Sequence, residues 1–461
     1  MKILFLSAEA MPYVKVGGLG DVAGALPAAL RAKGHDVRLV MPAYGLLDRN
    51  KLGLEKKIDS FNVQMDWRNE TCQMWVNPRT GDCFITNYYF FDNRFQVYGS
   101  GDEVEQFILF CRAALEACRL DGWEPDIIHA NDWHTAAAIR LAWAQEHRPG
   151  LVFTIHNMAH QGNQYPNGWP LLGVYDGKGN MNLMQQAIYC SDVVSTVSPT
   201  YAKEIVTREG GCGLDGDLRS KGDRLRGVLN GLDTVSYDPA TDRSLAANFS
   251  KSDWSNKALC KRYLQDEMGL EANPDSPLIG MVSRLDSQKG IELVIQVMDR
   301  IVDYSDAQIL ILGSGDRAYE VNIEQIAARH PGRIAKFIGF DGNLARQVYA
   351  GADIFLMPSL FEPCGLSQLI AMRYGTLPVA RATGGLRDTI VDMRSVEGGC
   401  GYLFGNYDKE EMMYTLFECA FKDYRDKHKW NEAIGRAMSR DFSWSTAAAG
   451  YEDLYRLALQ R

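Results

Sequence analysis

Short apolar runs alternate with helical patterns along this chain, and the alternation runs through two separate blocks. The first block predicts strands at 2–7, 36–41, 83–90, 126–129, 151–155 and 193–197, and helices near 20–33, 103–120, 135–147, 182–190 and 199–207. The second block predicts strands at 278–283, 308–312, 334–339, 353–357 and 377–380, each followed by a helical segment. Repeated alternation of strand and helix is typical of a parallel sheet with helices on both faces. We therefore predict an α/β fold with two doubly wound domains.

A segment rich in turn formers lies between the blocks and indicates where one domain ends. This segment is 230–242, NGLDTVSYDPATD. We predict an N-terminal domain over 1–235, a linker over 236–242 and a C-terminal domain over 243–444. A helix predicted at 445–461 ends the chain, and we expect it to pack back onto the first domain.

Charge and cysteine usage limit the classes of partner. The chain has 461 residues and a net charge of −9 without a basic run, so we expect neither a nucleic-acid nor a membrane partner. Ten cysteines without a metal-type CxxC pair predict reduced, buried thiols and no metal site. The strand at 2–7 follows no signal-type segment, and no apolar run has membrane-spanning length. We expect a cytoplasmic protein, with plastid or granule association left open.

One short stretch, 361–386, combines two strand-to-helix junctions with several reactive residue types. Glu362 follows the strand predicted at 353–357, and Gly384 and Gly385 open a helix after the strand at 377–380. Ligands of parallel α/β sheets bind at the carboxyl ends of strands, and a glycine-rich helix N-terminus suits phosphate. The stretch therefore predicts a ligand site with an acid beside a phosphate-binding helix.

The pattern GGLxD occurs at 17–21 and again at 384–388. It predicts two helix N-termini, one in each domain, directed at a shared anionic ligand. Residues 18–23 also fit the dinucleotide pattern GxGxxG/A, which would indicate a nicotinamide-dependent oxidoreductase. Against that, the loop from 7 to 17 is too long for the tight first turn, and the second strand ends without a ribose-binding acid. The oxidoreductase remains a distant alternative.

Further polar residues follow other predicted strands. Asp132 and His134 belong to HANDWH at 129–134, and His156 closes the next strand. Arg284 and Lys289 lie in SRLDSQKG, a loop that enters a helix in the second domain. Two cations at such a position would neutralise a diphosphate, although a solvated salt bridge is the alternative interpretation.

These motifs together resemble those of bacterial glycogen synthases and plant starch synthases. The resemblance is carried, in order and spacing along nearly the whole chain, by KVGGL at 15–19, HANDWH, TIHN at 154–157, GVLNG at 227–231, SRLDSQKG, FEPCGLSQL and TGGL. Other two-domain glycosyltransferases have a second glutamate where this chain has Ile370, which favours the synthases.

The resemblance implies a fold of the GT-B type, with two Rossmann-like domains facing a deep cleft. It implies retaining transfer of glucose from ADP-glucose to the nonreducing end of an α-1,4-glucan, without a metal or organic cofactor. UDP-glucose as donor stays open. A glucan-binding protein without catalysis would be expected to lack Lys289 or Glu362, and the chain has both.

Individual roles follow from the same resemblance. The predicted catalytic residues are Glu362, His156, Lys289, Arg284 and Asp21. The predicted substrate-binding residues are Lys15, Gly17, Gly18, Asp132, His134, Asn230, Phe340, Cys364, Gly365, Leu366, Thr383, Gly384 and Gly385. Among the residues of both groups, Arg284 and Lys289 are expected to bind the diphosphate, and Phe340 is expected to stack on adenine.

Overall fold

The chain divides into two units in a computed structural model that describes residues 1–162, 168–395 and 398–460. The first unit is Met1–Gly231 together with Trp444–Arg461, and the second is Leu232–Ser443. Residue 461, the end of the helix predicted at 445–461, lies outside the described residues.

The first unit is built on a nine-stranded sheet. Its strands are β1 (Lys2–Leu6), β2 (Asp36–Pro42), β3 (Glu55–Met65), β4 (Arg68–Val76), β5 (Cys83–Thr86), β6 (Ile127–Asn131), β7 (Gly150–Ile155), β8 (Val193–Thr196) and β9 (Leu225–Gly227). Their order is β3-β4-β5-β2-β1-β6-β7-β8-β9, and only the β3–β4 and β4–β5 pairs are antiparallel. Its helices are α1 (Gly18–Ala32), α2 (Glu103–Leu120), α3 (Ala136–Trp143), α4 (Leu183–Cys190), α5 (Pro199–Glu204) and α6 (Asp215–Ser220). The order reverses between β1 and β6, so their carboxyl ends form the switch point of this sheet.

The second unit has a six-stranded parallel sheet. Its strands are β10 (Leu278–Val282), β11 (Gln308–Gly313), β12 (Ile334–Ile338), β13 (Ile354–Met357), β14 (Leu377–Arg381) and β15 (Tyr402–Phe404), in the order β12-β11-β10-β13-β14-β15. Its helices are α7 (Lys257–Glu267), α8 (Ile291–Ile295), α9 (Met298–Asp303), α10 (Arg317–Arg329), α11 (Gly342–Gly351), α12 (Ser367–Arg373), α13 (Gly384–Thr389), α14 (Lys409–Tyr414), α15 (Phe421–Arg425) and α16 (Lys427–Met438). The switch point of this sheet lies between β10 and β13.

The parallel strands are the ones that the sequence predicted best. The central strands are almost fully buried, as the pattern of β1 and β7 shows. Strands covered on both faces are continuous apolar runs, which are easy to recognise. The strand predicted at 83–90 is an exception, because β5 ends at Thr86 and residues Tyr88–Asp92 form a π-helical turn. The side chain of Asn87 caps that turn by accepting hydrogen bonds from two of its N–H groups.

The last helix, α17 (Trp444–Leu459), packs in the first unit. Its inward side chains include Tyr451, Leu454 and Tyr455, which are buried in the core that contains β1 and α1.

The segment predicted as a linker, 236–242, belongs to the second unit. Asp242 accepts a hydrogen bond from Tyr374 and forms an ion pair with Arg346 at 2.9 Å. These side-chain contacts attach the segment to α11 and to the end of α12. In the structure, the boundary between the units therefore falls at Gly231 and Leu232, before the predicted linker.

Candidate active site

The centre of the candidate site in the second unit is a pair of oppositely charged side chains. Lys289 Nζ lies 2.6 Å from Glu362 Oε2, and Ser359 Oγ donates a hydrogen bond to the same oxygen at 3.0 Å. Lys289 follows β10 and Glu362 follows β13, two strands that are neighbours in the sheet. The pair therefore lies at the switch point, where sheets of this kind bind ligands.

Two glycines allow the loops of this site to approach one another. Gly290 has φ +70°, and a Cβ there would lie 2.1 Å from the Pro358 carbonyl oxygen. Gly384 has φ +43°, and its Cβ would lie 2.0 Å from the Glu362 carbonyl oxygen. Any larger residue would push these backbones apart, and such a shift would move Glu362 and Lys289.

The N-terminus of α13 contacts the Glu362 loop directly. The Gly385 N–H donates to the Glu362 carbonyl oxygen at 3.0 Å, and Thr383 is the N-cap residue of the helix. This N–H group therefore positions the acid. A phosphate-binding role for Gly384 and Gly385 stays a prediction.

Arg284 is held within its own loop. Its guanidinium pairs with Asp286 at 2.7 Å and donates to Gln288 Oε1 at 3.0 Å. The side chain is 66% exposed, so it is also accessible to an anionic ligand. The Arg284–Asp286 ion pair is a solvated salt bridge, as the alternative interpretation proposed. Binding of a diphosphate by Arg284 stays a prediction.

The junction between β13 and α12 contains Cys364, Gly365 and Leu366. Gln368, a buried residue that the sequence analysis missed, donates from Nε2 to the carbonyl oxygens of Cys364 and Gly365, both at 3.0 Å. Gly365 has φ +75°, a conformation that favours glycine. Farther along the same edge of the sheet, Phe340 follows β12 and is 88% exposed. Its ring is therefore accessible for the predicted stacking on adenine.

The first unit has a second group of predicted residues, in the loop before α1. Lys15 Nζ forms an ion pair with Asp21 Oδ1 at 2.7 Å. Gly17 is the N-cap residue of α1, and the space around a Cβ at Gly18 is open to 4 Å. The GGLxD pattern therefore begins a helix here, as it does at α13.

The residue that organises this loop, Glu9, was missed. It is buried, and its Oε2 accepts hydrogen bonds from the N–H groups of Val16 and Gly17. The Tyr98 hydroxyl donates to Oε1 at 3.3 Å. The available signal was the position of an acid just after β1, at the same sheet edge as the other predicted residues.

Asp132 and His156 lie together across the ends of β6 and β7. Asp132 Oδ1 accepts from the His156 N–H at 2.7 Å and from the Asn157 N–H at 3.3 Å. Burial raises the pKa of the Asp132 carboxyl to about 7, against the effect of these hydrogen bonds, and the nearby Glu9 charge acts in the same direction as burial. Asp132 also has φ +55°, a strained conformation of the kind found at functional sites.

Of the two histidines in this group, His134 is buried and His156 is half-buried, and both are neutral near pH 7. His156 Nε2 lies 3.0 Å from Asn131 Oδ1, and the ring of His134 packs 4.9 Å from that of Tyr98. Burial lowers the pKa of both His134 and His156 to about 3. Asn230 is buried as well, and its Oδ1 has no hydrogen-bond partner among the described residues.

The structure thus joins Lys289 to Glu362 in the second unit, and Lys15 to Asp21 and Asp132 to His156 in the first. Within the described ranges, no three His, Cys, Asp or Glu side chains are grouped as a metal site. No helix among the described residues is both long and apolar enough to cross a bilayer. The dinucleotide pattern at 18–23 lies inside α1, and residues 7–17 separate it from β1, so the tight strand-to-helix turn of that motif is not formed here.

Family models match both halves of the chain. The starch synthase catalytic domain matches residues 2–220, and glycosyl transferases group 1 matches residues 265–435. Curated relatives match over the full length. The glycogen synthase of Clostridium beijerinckii is 41% identical, and that of Clostridium botulinum (strain Alaska E43) is 42% identical, each covering 99% of both chains.

Solved structures are similar as well. The catalytic domain of starch synthase IV from Arabidopsis thaliana, bound to ADP and acarbose, has a TM-score of 0.89 and 34% identity, covering 100% of this chain and 99% of that one. Sucrose-phosphate synthase from Thermosynechococcus elongatus shares the fold alone, with a TM-score of 0.63, 18% identity and coverage of 99% and 98%. The predicted GT-B fold is confirmed, and the oxidoreductase alternative is not supported. This chain belongs to the glycogen and starch synthases and is a glycosyltransferase.

Proposed function

We propose that the protein transfers glucose from ADP-glucose to the nonreducing end of an α-1,4-glucan, with retention of configuration. The observation that carries the proposal is the contact between Lys289 and Glu362 at the switch point of the second sheet. The names of the relatives support the polymer, and the solved starch synthase with ADP and acarbose supports both ligand classes.

The proposed chemistry at the donor rests on opposite charges. Departure of ADP places negative charge on the diphosphate and positive charge on the sugar ring. In our proposal, Arg284 and Lys289 stabilise the diphosphate, and Glu362 stabilises the sugar. Preorganised charges of this kind act on the transition state without reorganisation during the reaction.

The structure supports a preorganised Glu362 in particular. Glu362 is 5% exposed, its carboxylate receives two hydrogen bonds, and its carbonyl oxygen accepts a third from the Gly385 N–H. In our proposal, the backbone groups of Cys364, Gly365 and Leu366 contact the sugar. Gln368 keeps this backbone in position by its hydrogen bonds to the carbonyl oxygens of Cys364 and Gly365.

The proposal also assigns roles to the predicted residues of the first unit. We propose that Lys15 and Gly18 contact the donor, and that Asp21 and His156 border its sugar. Glu9 supports these roles by holding the N–H groups of the loop that carries Lys15 and Gly18. A neutral His156 can donate a hydrogen bond to a sugar hydroxyl or accept one from it, and it adds no charge to the site.

The proposal also includes catalysis without a metal or organic cofactor, by the side chains described above. It places the reaction in the cytoplasm, where the ten free cysteines stay reduced.

Glucosyl incorporation into glycogen tests the proposal. The purified protein is incubated with glycogen and radiolabelled ADP-glucose or UDP-glucose at equal concentration, and the label in precipitated polymer is measured. We expect incorporation from ADP-glucose, at least ten times faster than from UDP-glucose. A preference for UDP-glucose would replace the proposed donor, and no incorporation from either would refute the function. Anomeric analysis of the first product, with a maltooligosaccharide as acceptor, tests retention.

A further inference from the structure

Arg381 is a half-buried arginine that ends β14, at the carboxyl edge of the second sheet. Its Nη1 donates a hydrogen bond to the Leu360 carbonyl oxygen and a longer one, at 3.4 Å, to the Ser359 carbonyl oxygen. Hydrogen bonds from a charged donor are about twice as strong as those between neutral groups. The guanidinium therefore holds the loop between β13 and α12, which also contains Glu362.

Ser359 connects Arg381 to Glu362. Its carbonyl oxygen accepts from the guanidinium, while its buried hydroxyl donates to Glu362 Oε2 at 3.0 Å. Residues 358–362 belong to neither a helix nor a strand, so the ladder of a regular element does not fix the Ser359 backbone. Hydrogen bonds weaken steeply as their angle changes. A shift of this backbone would therefore weaken the bond between the Ser359 hydroxyl and Glu362.

Leu360 connects the same guanidinium to the loop that contains Lys289. Its carbonyl oxygen accepts from Arg381, and its N–H donates to the Gln288 carbonyl oxygen at 2.8 Å. Gln288 directly precedes Lys289 in the chain. Arg381 thus holds on one side a segment that Gln288 holds on the other. The contact between Lys289 and Glu362, which follow different strands, depends on the position of this segment.

The Arg381 side chain is itself held by an aromatic ring. Its Cζ lies 5.8 Å from the centre of the Tyr407 ring. The Tyr407 hydroxyl donates a hydrogen bond to Glu292 Oε1 on α8, the helix that begins just after Gly290. A cation within about 6 Å of a ring centre is attracted by the electrons of the ring face. Arg381 is therefore restrained on the side of Tyr407 as well as at the loop.

We propose that Arg381 is a positioning residue for glucosyl transfer. It holds residues 358–362 so that the Ser359 hydroxyl and Lys289 meet the Glu362 carboxylate in the geometry that the reaction requires. The inference rests on the proposed function, because that transfer is the reaction that the geometry serves. In this assignment Arg381 does not contact the donor. Its loss should therefore lower turnover and leave donor binding nearly unchanged.

The test compares Arg381→Met with a matched arginine at the opposite edge of the same sheet. Arg333 lies just before β12, is also half-buried, and donates to the carbonyl oxygens of Ser305 and Ala307 at 2.7 and 2.8 Å. We expect Arg381→Met to lower kcat at least about tenfold, since displacement of a reacting group by about 1 Å is enough for such a loss. The KM for ADP-glucose and the Kd of ADP should stay within about twofold of the parent.

Arg333→Met removes the same kind of contact away from the site. It should therefore keep the kcat of the parent, even where both variants melt earlier. Arg381→Lys retains a cation that can donate to the two carbonyl oxygens, although without the planar guanidinium. Its kcat should exceed that of Arg381→Met at least about threefold and remain at least about twofold below that of the parent.

A double-mutant cycle with Ser359→Ala tests the route of the effect. Ser359→Ala removes the hydroxyl through which Arg381 acts on Glu362. Arg381→Met should therefore lower kcat by a smaller factor in this background than in the parent. Equal factors in both backgrounds would overturn the inference.

Amide hydrogen exchange measured by mass spectrometry follows the loop without turnover. Peptides that cover 358–366 should exchange faster in Arg381→Met than in the parent, and peptides of the first unit should exchange equally. Unchanged exchange of the loop would overturn the inference. So would the kcat of the parent in a folded Arg381→Met variant, or an equal fall in kcat for Arg333→Met.

Two further outcomes distinguish this inference from its neighbours. ADP binding at least about tenfold weaker in Arg381→Met would overturn it, because the loss would match that of a cation that contacts the diphosphate. If Arg381→Met does not fold, the twofold fall in kcat of Arg381→Lys, with ADP binding unchanged, must still be found. A parent that transfers no glucose, together with faster exchange of the loop in Arg381→Met, would refute only the proposed function.

Discussion

At the scale of single residues, Glu362 is enclosed by groups that fix its charge in place. Glu362→Gln keeps an acceptor oxygen for Lys289 and Ser359 but removes the negative charge. We expect turnover to fall by about a hundredfold or more, since one charged contact to the transition state is lost. The melting temperature should change little, because Gln fills the same space.

Initial rates of glucosyl transfer and thermal melts check this prediction. Glu267→Gln, at an exposed position on α7, is the matched control and should behave as the parent. Near-normal turnover of a folded Glu362→Gln variant would contradict the catalytic role.

Lys289 is the corresponding test of the diphosphate site. Lys289→Ala removes the ammonium group of a side chain that is only 19% exposed, so water replaces the lost attraction to a diphosphate poorly. We expect ADP to bind at least about tenfold more weakly, by comparison with the loss of one member of a desolvated charge pair. Binding of a maltooligosaccharide should stay the same, because that ligand carries no charge.

Calorimetry with each ligand measures both parts of the Lys289 prediction. Lys251→Ala, an exposed lysine of the second unit, is the control. A Lys289→Ala variant with the ADP affinity of the parent would limit Lys289 to its contact with Glu362.

The motifs supplied candidate residues for the site but not the groups that hold those residues in place. Glu362 and Lys289 stand 73 positions apart, and only the order of the parallel strands brings their loops together. Glu9 was missed because a lone acid in a loop resembles a solvated residue. Glu9 acts by accepting hydrogen bonds from the N–H groups of Val16 and Gly17, and the spacing of residues in the sequence does not predict this contact.

At the scale of secondary structure, His129 connects three elements through hydrogen bonds. Its Nδ1 lies 2.9 Å from the Tyr455 hydroxyl on α17, and its Nε2 lies 2.7 Å from Thr154 Oγ1 on β7. Burial lowers its pKa from 6.5 to about 3. The unfolded chain therefore binds a proton at this residue before the folded chain does. The stability from neutral His129 is present above pH 6.5 and is lost as the pH falls toward 3.

We predict that His129→Gln removes part of this pH dependence. Between pH 6.5 and 4.5, one such histidine contributes a slope of about 1.4 kcal/mol per pH unit at most. Urea unfolding at several pH values should show a smaller loss of stability in the variant than in the parent. His134 and His156 act in the same direction, while Asp132 acts in the opposite one between pH 4 and 7, and all three are unchanged in both proteins. Equal slopes for the two proteins would contradict the prediction.

The parallel strands could be predicted from the sequence, whereas the β3–β4 hairpin was missed. Both strands are partly solvated, so their buried residues alternate with polar ones, as Phe61, Val63 and Met65 do. That alternation was present in the sequence but is weaker than an apolar run. The GGLxD pattern predicted both helix starts correctly, yet it could not show that the Gly385 N–H bonds to Glu362.

At the scale of the whole molecule, the first unit is made from two distant parts of the chain. Tyr451, Leu454 and Tyr455 of α17 are buried against the rest of the first unit. Without α17, the apolar surface that packs on these side chains would be exposed to water. Each such side chain contributes about 1.5–3 kcal/mol through burial, and a domain has only about 5–15 kcal/mol of net stability. We predict that residues 1–231 alone do not fold cooperatively.

Joining residues 1–231 to 444–461 through a short glycine linker should restore folding. The two ends are close enough, since a Cβ on Gly231 would lie 2.7 Å from the Trp444 Cα. Thermal melts by circular dichroism distinguish the fragments. A cooperative transition in residues 1–231 alone would contradict the prediction, and so would the lack of one in the joined protein.

The return of α17 to the first unit sets an order for folding during synthesis. Residues 1–231 emerge from the ribosome before the second unit, but the helix that completes their core is translated after that unit. The second unit, Leu232–Ser443, is whole before that helix appears. The core of the first unit therefore keeps an apolar surface uncovered until α17 has been translated. We therefore expect the N-terminal half to be the part that chaperones protect during synthesis.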